Sequence, residues 1–192
     1  MDCTEFRTSD SDPIEVNWLQ GLENLLLPGN GKIGLTFAPG KKGPSYHGTD
    51  WYRDLDQDLE RLRSEFHTSL LVTLIEKWEM DRYQIPNLLE RARDFDIQVI
   101  HEPVVDLNPP TLEQAERVTR LAVETARKGK NVVLHCLGGR GRAGTMGACC
   151  YLALGFDPNQ AFHMVRACRE GAVETPSQKQ FLLKFQSLTK IA

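Results

Sequence analysis

The chain holds 192 residues, which fits one globular domain and falls short of two ordinary ones. Hydrophobic residues make up 41% and charged residues 26%, the profile of a soluble globular protein. The net charge of −3 argues against a nucleic-acid binder that works by broad phosphate neutralisation. No apolar run approaches the ~18–20 residues of a membrane span, so no membrane insertion is expected. The opening Met1-Asp2-Cys3-Thr4-Glu5 is acidic, unlike a secretory leader. Five cysteines (Cys3, Cys136, Cys149, Cys150 and Cys168) fall at irregular spacing without a C-x-x-C pair. That pattern implies neither a disulfide framework nor a metal site and fits a reducing cytoplasm.

Residues 1–30 are polar and irregular and read as an N-terminal arm, leaving 31–192 as the domain. Ile33 to Phe37 alternates weakly and is stopped by Pro39-Gly40, a short strand. Lys41 to Tyr52 reads as a surface loop, with Lys41 and Lys42 a solvated pair. Leu55, Leu59, Leu62 and Phe66 recur at helical spacing. Ser69 to Ile75 is a buried strand, Pro86 opens a helix carrying Leu88, Leu89 and Ala92, and Ile97 to Val105 is the next strand. Thr111 with Gln114 forms a capping box, Ala115, Val118, Ala122 and Ala126 give one apolar face, and Gly129 marks the helix end. Asn131 to His135 is a fully buried strand. Three helical segments follow, two of them opened by Asp157-Pro158-Asn159-Gln160 and Thr175-Pro176-Ser177-Gln178. Strands alternating with helices predict a single α/β domain. Its largely parallel, twisted sheet of about four to five strands is flanked by helices, with a helical C-terminal third.

The chemistry concentrates in one segment. Gly138, Gly139, Gly141, Gly144 and Gly147 fall within ten residues, between the buried strand and the helix after it. Glycines let successive N–H groups converge on one point, and the helix N-terminus adds positive potential there. Leu137, Gly138, Gly139, Arg140 and Gly141 then form an anion cradle, with Cys136 projecting into it from the strand end. The field favours its thiolate. Arg142 opens the helix, where a guanidinium can grip two oxygens of a phosphoryl group. Gly139-x-Gly141-x-x-Gly144 also matches a dinucleotide fingerprint. That reading needs a further strand and an acidic residue ~20 positions on, whereas helices follow here. A plain tight turn with a structural cysteine leaves the two arginines unexplained.

His135-Cys136-x5-Arg142 resembles the signature of the cysteine-dependent protein tyrosine and dual-specificity phosphatases. Within them the chain is most similar to the cyclin-dependent-kinase-associated phosphatase group. Tyr83 to Leu89, Pro103 to Asp106 and Gly171 to Phe185 add to the likeness. The resemblance implies a protein tyrosine phosphatase-like fold and hydrolysis of phosphotyrosine and phosphoserine/threonine through a cysteinyl-phosphate, with no metal or cofactor. It implies a phosphoprotein substrate, with a kinase or other regulatory protein as partner.

A poor leaving group needs a general acid on a loop after a strand. Asp106 stands so, and the resemblance points to the same residue; a turn-forming Asp is the plain alternative, and Glu102 is the substitute acid. His135 is expected to order the loop by hydrogen bonds. Ala143 stands where the resembling enzymes carry a Ser or Thr that stabilises the departing thiolate, with Thr145 nearby. Glu174 occupies the place of a water-positioning Gln, and Gln178 matches a neighbouring family position. Both departures bear on the hydrolysis step and keep open a slow or non-turning phosphate-binding module. Arg140, an extra cation, keeps open a phosphoinositide or metabolite substrate, and sulfur or arsenate chemistry on such a loop would not need Asp106. Cys149 and Cys150 read as core, and Trp51, Trp78 and Tyr83 as packing residues that could line a groove.

Overall fold

The computed structural model describes residues 6–45 and 48–186. In chain order its elements are β1 (Asn17–Trp18), β2 (Ile33–Thr36), β3 (Lys42–Gly43), β4 (Trp51–Tyr52), α1 (Leu55–Ser64), β5 (Thr68–Thr73) and α2 (Lys77–Arg82). There follow α3 (Leu88–Asp94), β6 (Gln98–His101), α4 (Leu112–Arg127), β7 (Asn131–His135), α5 (Gly141–Ala153), α6 (Pro158–Cys168) and α7 (Pro176–Gln186). Five strands form one sheet in the order β1-β2-β7-β5-β6, parallel except for β1. Strands β3 and β4 pair separately as an antiparallel ribbon.

Register decides where chemistry gathers. Thr36 and Thr73 both pair with His135, and Thr73 also pairs with His101. Four parallel strands therefore end in one row, and the segments leaving them share one rim, where open α/β sheets hold their ligands. The central strand β7 buries Val132, Val133 and Leu134 completely, as a strand covered on both faces must. Helices α1 and α3 pack together against β5 and β6, while α4, α6 and α7 surround α5. Every residue of α5 is buried. A helix carrying small and apolar residues all round can be enclosed in this way, and Arg142 is the single charge it takes inside.

The capping patterns at Thr111 and Asp157 form as expected, and the expected face of α4 is the buried one. Gly129 closes α4 with a φ of +78°. Other stretches differ from expectation. The segment read as an arm buries Ile14, Val16, Leu19, Leu22 and Leu26 in the core, and its β1 extends the sheet beside β2. These residues follow neither period consistently, so only their partners reveal their side. The segment read as a surface loop contains β3 and β4. Lys41, expected in solvent, is only 4% exposed. The strand expected over 97–105 pairs fully only at Gln98–His101. Beyond it Glu102 and Val104 still donate to the carbonyls of Thr73 and Leu74, and Pro103 between them has no N–H to give.

Candidate active site

The strand β7 delivers Cys136 to the common rim, and residues 136–140 curl into the first turn of α5. Gly139 holds a φ of +72°, and a Cβ there would strike the Thr36 carbonyl. The turn closes only with glycine. Cys136 is 3% exposed, and its Sγ accepts the Gly139 N–H at 3.2 Å. His135 is fully buried, with Nε2 2.9 Å from the Thr73 hydroxyl and Nδ1 3.4 Å from the Cys136 carbonyl. Burial pushes the His135 pKa down to about 3, so the ring stays neutral and ties the loop to β5.

Arg142 is the hub. Its two Nη atoms bind the Glu79 carboxylate at 2.7 and 2.8 Å, in a pair whose side chains are 1% and 2% exposed. Nη1 also donates to the Val104 carbonyl at 3.1 Å, and Nη2 lies 2.9 Å from the Asp106 carboxylate. Burial opposes the charge, but the Glu79 hydrogen bonds and the charges of Cys136, Glu79 and Asp106 raise the Arg142 pKa above its usual value. Its Nε is buried without a partner among the described residues. Glu79 was not anticipated from the sequence. It is the third residue of the short helix α2, where Glu76 and Glu79 form a capping box; the pattern Glu-x-x-Glu after β5 signals the helix but not the reach to Arg142.

Asp106 lies on the connection from β6 to α4, partly exposed and facing the same cavity as Cys136. Two bonds from the start of α7 hold this connection: Thr175 Oγ1 donates to the Leu107 carbonyl at 3.0 Å, and Gln178 Nε2 to the Asn108 carbonyl at 3.2 Å. Leu107 adopts a φ of +62°. Glu102, the substitute acid, is instead ion-paired to Arg117 of α4 and does not line the cavity.

Thr145 Oγ1 is spent on the Gly141 carbonyl at 2.7 Å, one turn back in its own helix, and Ala143 is fully buried. Gln178 Oε1 accepts the N–H groups of Glu174 and Thr175, so this amide orders the turn before α7. Glu174, Arg140, Leu137 and Gly138 line the cavity, whose volume is about 540 Å³. Trp51 and Tyr83 line it as well, while Trp78 is 53% exposed and lies outside it. Lys41 and Arg169 also face it, and neither was singled out as a site residue from the sequence. Cys149 and Cys150 are enclosed in α5, where burial pushes both thiols up, Cys150 to about 12. A second cavity of about 600 Å³ beside β6 is lined by Leu70, Ile97, Val99 and Ile100 among others and has no Cys, Ser or His in its wall. Among the described residues no cluster of His, Cys, Asp or Glu could hold a metal ion, and no helix is long and apolar enough to cross a membrane.

Residues 54–182 match the family model described as PTP-SAK, Swiss Army Knife protein, DSP-PTPase phosphatase domain. The chain is 28% identical over 196 residues to cyclin-dependent kinase inhibitor 3 of Homo sapiens, covering 97% of this chain and 88% of that protein. It is 30% identical over 149 residues to the phosphatidylinositol 3,4,5-trisphosphate 3-phosphatase cnrN of Dictyostelium discoideum, covering 72% of this chain and 21% of that one. Among solved structures, kinase associated phosphatase with serine in place of its catalytic cysteine is similar at a TM-score of 0.80 and 25% identity, over 91% of this chain and 95% of that one. The active form of Tk-PTP is similar at a TM-score of 0.68 and 27% identity, over 82% and 93%. With a five-stranded, mostly parallel sheet, a Cys-x5-Arg loop at its rim and a family match over most of its length, this chain belongs to the DSP-PTPase family of cysteine phosphatases.

Proposed function

We propose that the protein is a metal-independent phosphomonoester hydrolase acting on phosphotyrosine and phosphoserine/threonine in proteins. The observation that carries this reading is the position of Arg142. One guanidinium at the start of the helix that follows Cys136 meets Asp106 through Nη2, and its Nε has no partner among the described residues. In the first step the Cys136 thiolate forms an S–P bond as the P–O bond breaks, and the Asp106 carboxyl gives its proton to the departing oxygen. In the second, water attacks phosphorus, the Asp106 carboxylate takes its proton, and the thiolate leaves. The loop N–H groups and Arg142 hold the phosphoryl oxygens through both steps. Thr145 is occupied within its own helix, which leaves the departing thiolate to the Gly139 N–H. The printed names of the similar proteins, a kinase inhibitor and a kinase associated phosphatase, support a phosphoprotein, including a kinase, as substrate and partner. A cytoplasmic location suits a mechanism that needs Cys136 as a free thiolate.

A second reading rests on the cations Lys41, Arg140 and Arg169 in the cavity wall, which would suit a phosphoinositide or a polyphosphorylated metabolite. Turnover of nitrophenyl phosphate, phosphopeptides and phosphoinositides, measured in parallel with chelator present, tests both. Phosphopeptide turnover above that of the lipid is the expected result. Preference for the lipid establishes the second reading, and a stable phosphoenzyme without turnover makes the protein a phosphate-binding module.

A further inference from the structure

In a trans peptide the carbonyl and the following N–H point in opposite directions. An anion cradle therefore needs each loop carbonyl held outward so that the N–H behind it faces in. Two cationic side chains do this here. Arg169, after α6, donates through Nη2 to the Gly138 carbonyl at 2.8 Å, and the N–H of that same peptide, on Gly139, is the one that reaches the Cys136 sulfur. Lys41 donates through Nζ to the Leu137 carbonyl at 3.1 Å, the peptide immediately before. We propose that Lys41 and Arg169 are positioning residues for phosphoryl transfer, holding the Leu137 and Gly138 carbonyls outward and adding positive charge beside the Cys136 sulfur. The proposal deepens the phosphatase reading and rests on it for the reaction it serves.

The surroundings of Lys41 are built for such a task. Its Nζ sits 4.7 Å from the centre of the Phe37 ring and 4.1 Å from that of Trp51, so the ammonium is held by two π faces. The backbone on either side is fixed from behind. Asp58 accepts the Gly40 N–H at 2.8 Å and forms a buried, two-pronged pair with Arg53, whose own N–H donates to the Lys41 carbonyl. Arg169 is anchored in turn, by Nη1 on Asn17 of β1. The N-terminal strand and the β3–β4 ribbon thereby reach the nucleophile loop. The charged groups that act on Lys41 are Arg53, Arg169 and Arg7, which repel its proton, and Cys136, which attracts it. Burial dominates them and brings its pKa down to about 7. An amine carries its charge only below its pKa, so the electrostatic part of its help is present in acid and fades as pH rises through about 7.

That sign gives the test. The rate of Cys136 alkylation by iodoacetamide is followed from pH 5 to 9 in the full chain, alongside orthovanadate binding. Lys41→Met keeps the apolar stem between Phe37 and Trp51 and removes the charge. Alkylation at pH 6 should fall about tenfold, because a neighbouring cation favours the reactive thiolate, and the deficit should narrow above pH 8. Lys41→Arg should recover most of the rate, and Lys42→Met, a neighbouring charge outside the cavity, should change nothing. Arg169→Gln should weaken vanadate binding by a similar factor at every pH and serves as the second variant if Lys41→Met does not fold. A Lys41→Met profile that overlays the wild type overturns the role of Lys41, and a deficit equal at all pH values overturns its electrostatic part; unchanged vanadate binding in Arg169→Gln overturns that of Arg169. Alkylation needs no turnover. A wild type that hydrolyses no phosphoester but shows the Lys41-dependent profile would defeat the phosphatase reading and leave this one standing.

Discussion

Two segments meet at Arg142, and they are held in opposite ways. The Cys136 loop, residues 136–142, is gripped by buried groups: His135 on Thr73, Lys41 on Leu137, and the enclosed Glu79–Arg142 pair. The connection between β6 and α4 is pinned at Val104 by buried bonds, but beyond Val104 it hangs on an exposed bond from Thr175, a half-buried one from Gln178 and the contact of a partly exposed Asp106 with Arg142. Asp106 has a side chain 41% exposed where Glu79 has 2%, on the same guanidinium. Such bonds exchange readily with water, whereas a buried pair loses several kcal/mol when one partner goes. The contrast matches two duties. An anion cradle must be preorganised, because any reorganisation adds to the barrier. On the proposed reading Asp106, as the acid, would have to move aside to admit a protein-borne phosphate and return.

The sharpest break falls on the rigid side. Cys136→Ser should reduce turnover to background, since a hydroxyl without a base is a poor nucleophile, while vanadate still binds the unchanged backbone; residual turnover above background would move the nucleophile elsewhere. On the exposed side, Asp106→Asn should lower turnover of phosphoserine peptides by about 10²- to 10⁴-fold. Nitrophenyl phosphate, whose leaving group needs little protonation, should suffer far less. Equal losses on both substrates would make Asp106 a structural residue.

Glu79→Gln asks how much of the rigidity is the buried pair. It leaves the Arg142 charge enclosed without its full counter-charge, and chemical denaturation should show about 3 kcal/mol less stability. Rates on both substrate types should fall together, because the cradle loses its alignment and the acid loop does not. A variant as stable as the wild type would show that Asp106 and the Val104 carbonyl suffice to hold Arg142.

The same division separates what the sequence discloses from what it hides. Strand β7 runs over Asn131–His135, as its apolar run predicts, and the boxes at Thr111 and Asp157 open α4 and α6. Each is encoded within a few residues of itself. The cradle is local too, with its glycines, Cys136 and Arg142 spanning one turn. What holds the cradle is not local. Glu79 reaches Arg142 across 63 positions, Lys41 reaches Leu137 across 96 and Arg169 reaches Gly138 across 31. Lys41 stands in Lys-Lys-Gly-Pro, which looks like a solvated loop, and only the folded ribbon brings Trp51 over it. Strands β1, β3 and β4 have two residues each, too few for a period to show, so only their pairing defines them.

The gentlest perturbation addresses the suspension of the acid loop. Thr175 Oγ1 donates to the Leu107 carbonyl and accepts the Gln178 N–H at 3.2 Å, so it ties the acid loop to the cap of α7. Thr175→Val keeps the shape and removes both bonds, together with the 2.9 Å contact to the Ser177 hydroxyl. One solvent-accessible hydrogen bond contributes about 0.5–1.5 kcal/mol, which as lost acid alignment is about a two- to tenfold drop in kcat on phosphoserine peptides. Nitrophenyl phosphate turnover should hardly change, and Thr175→Ser, which retains the hydroxyl, should restore the peptide rate. If both substrates lose equally, the hydroxyl serves the cap of α7 and the nucleophile side of the site. If neither loses, the Gln178 bond and the Arg142 contact alone return Asp106 to its place.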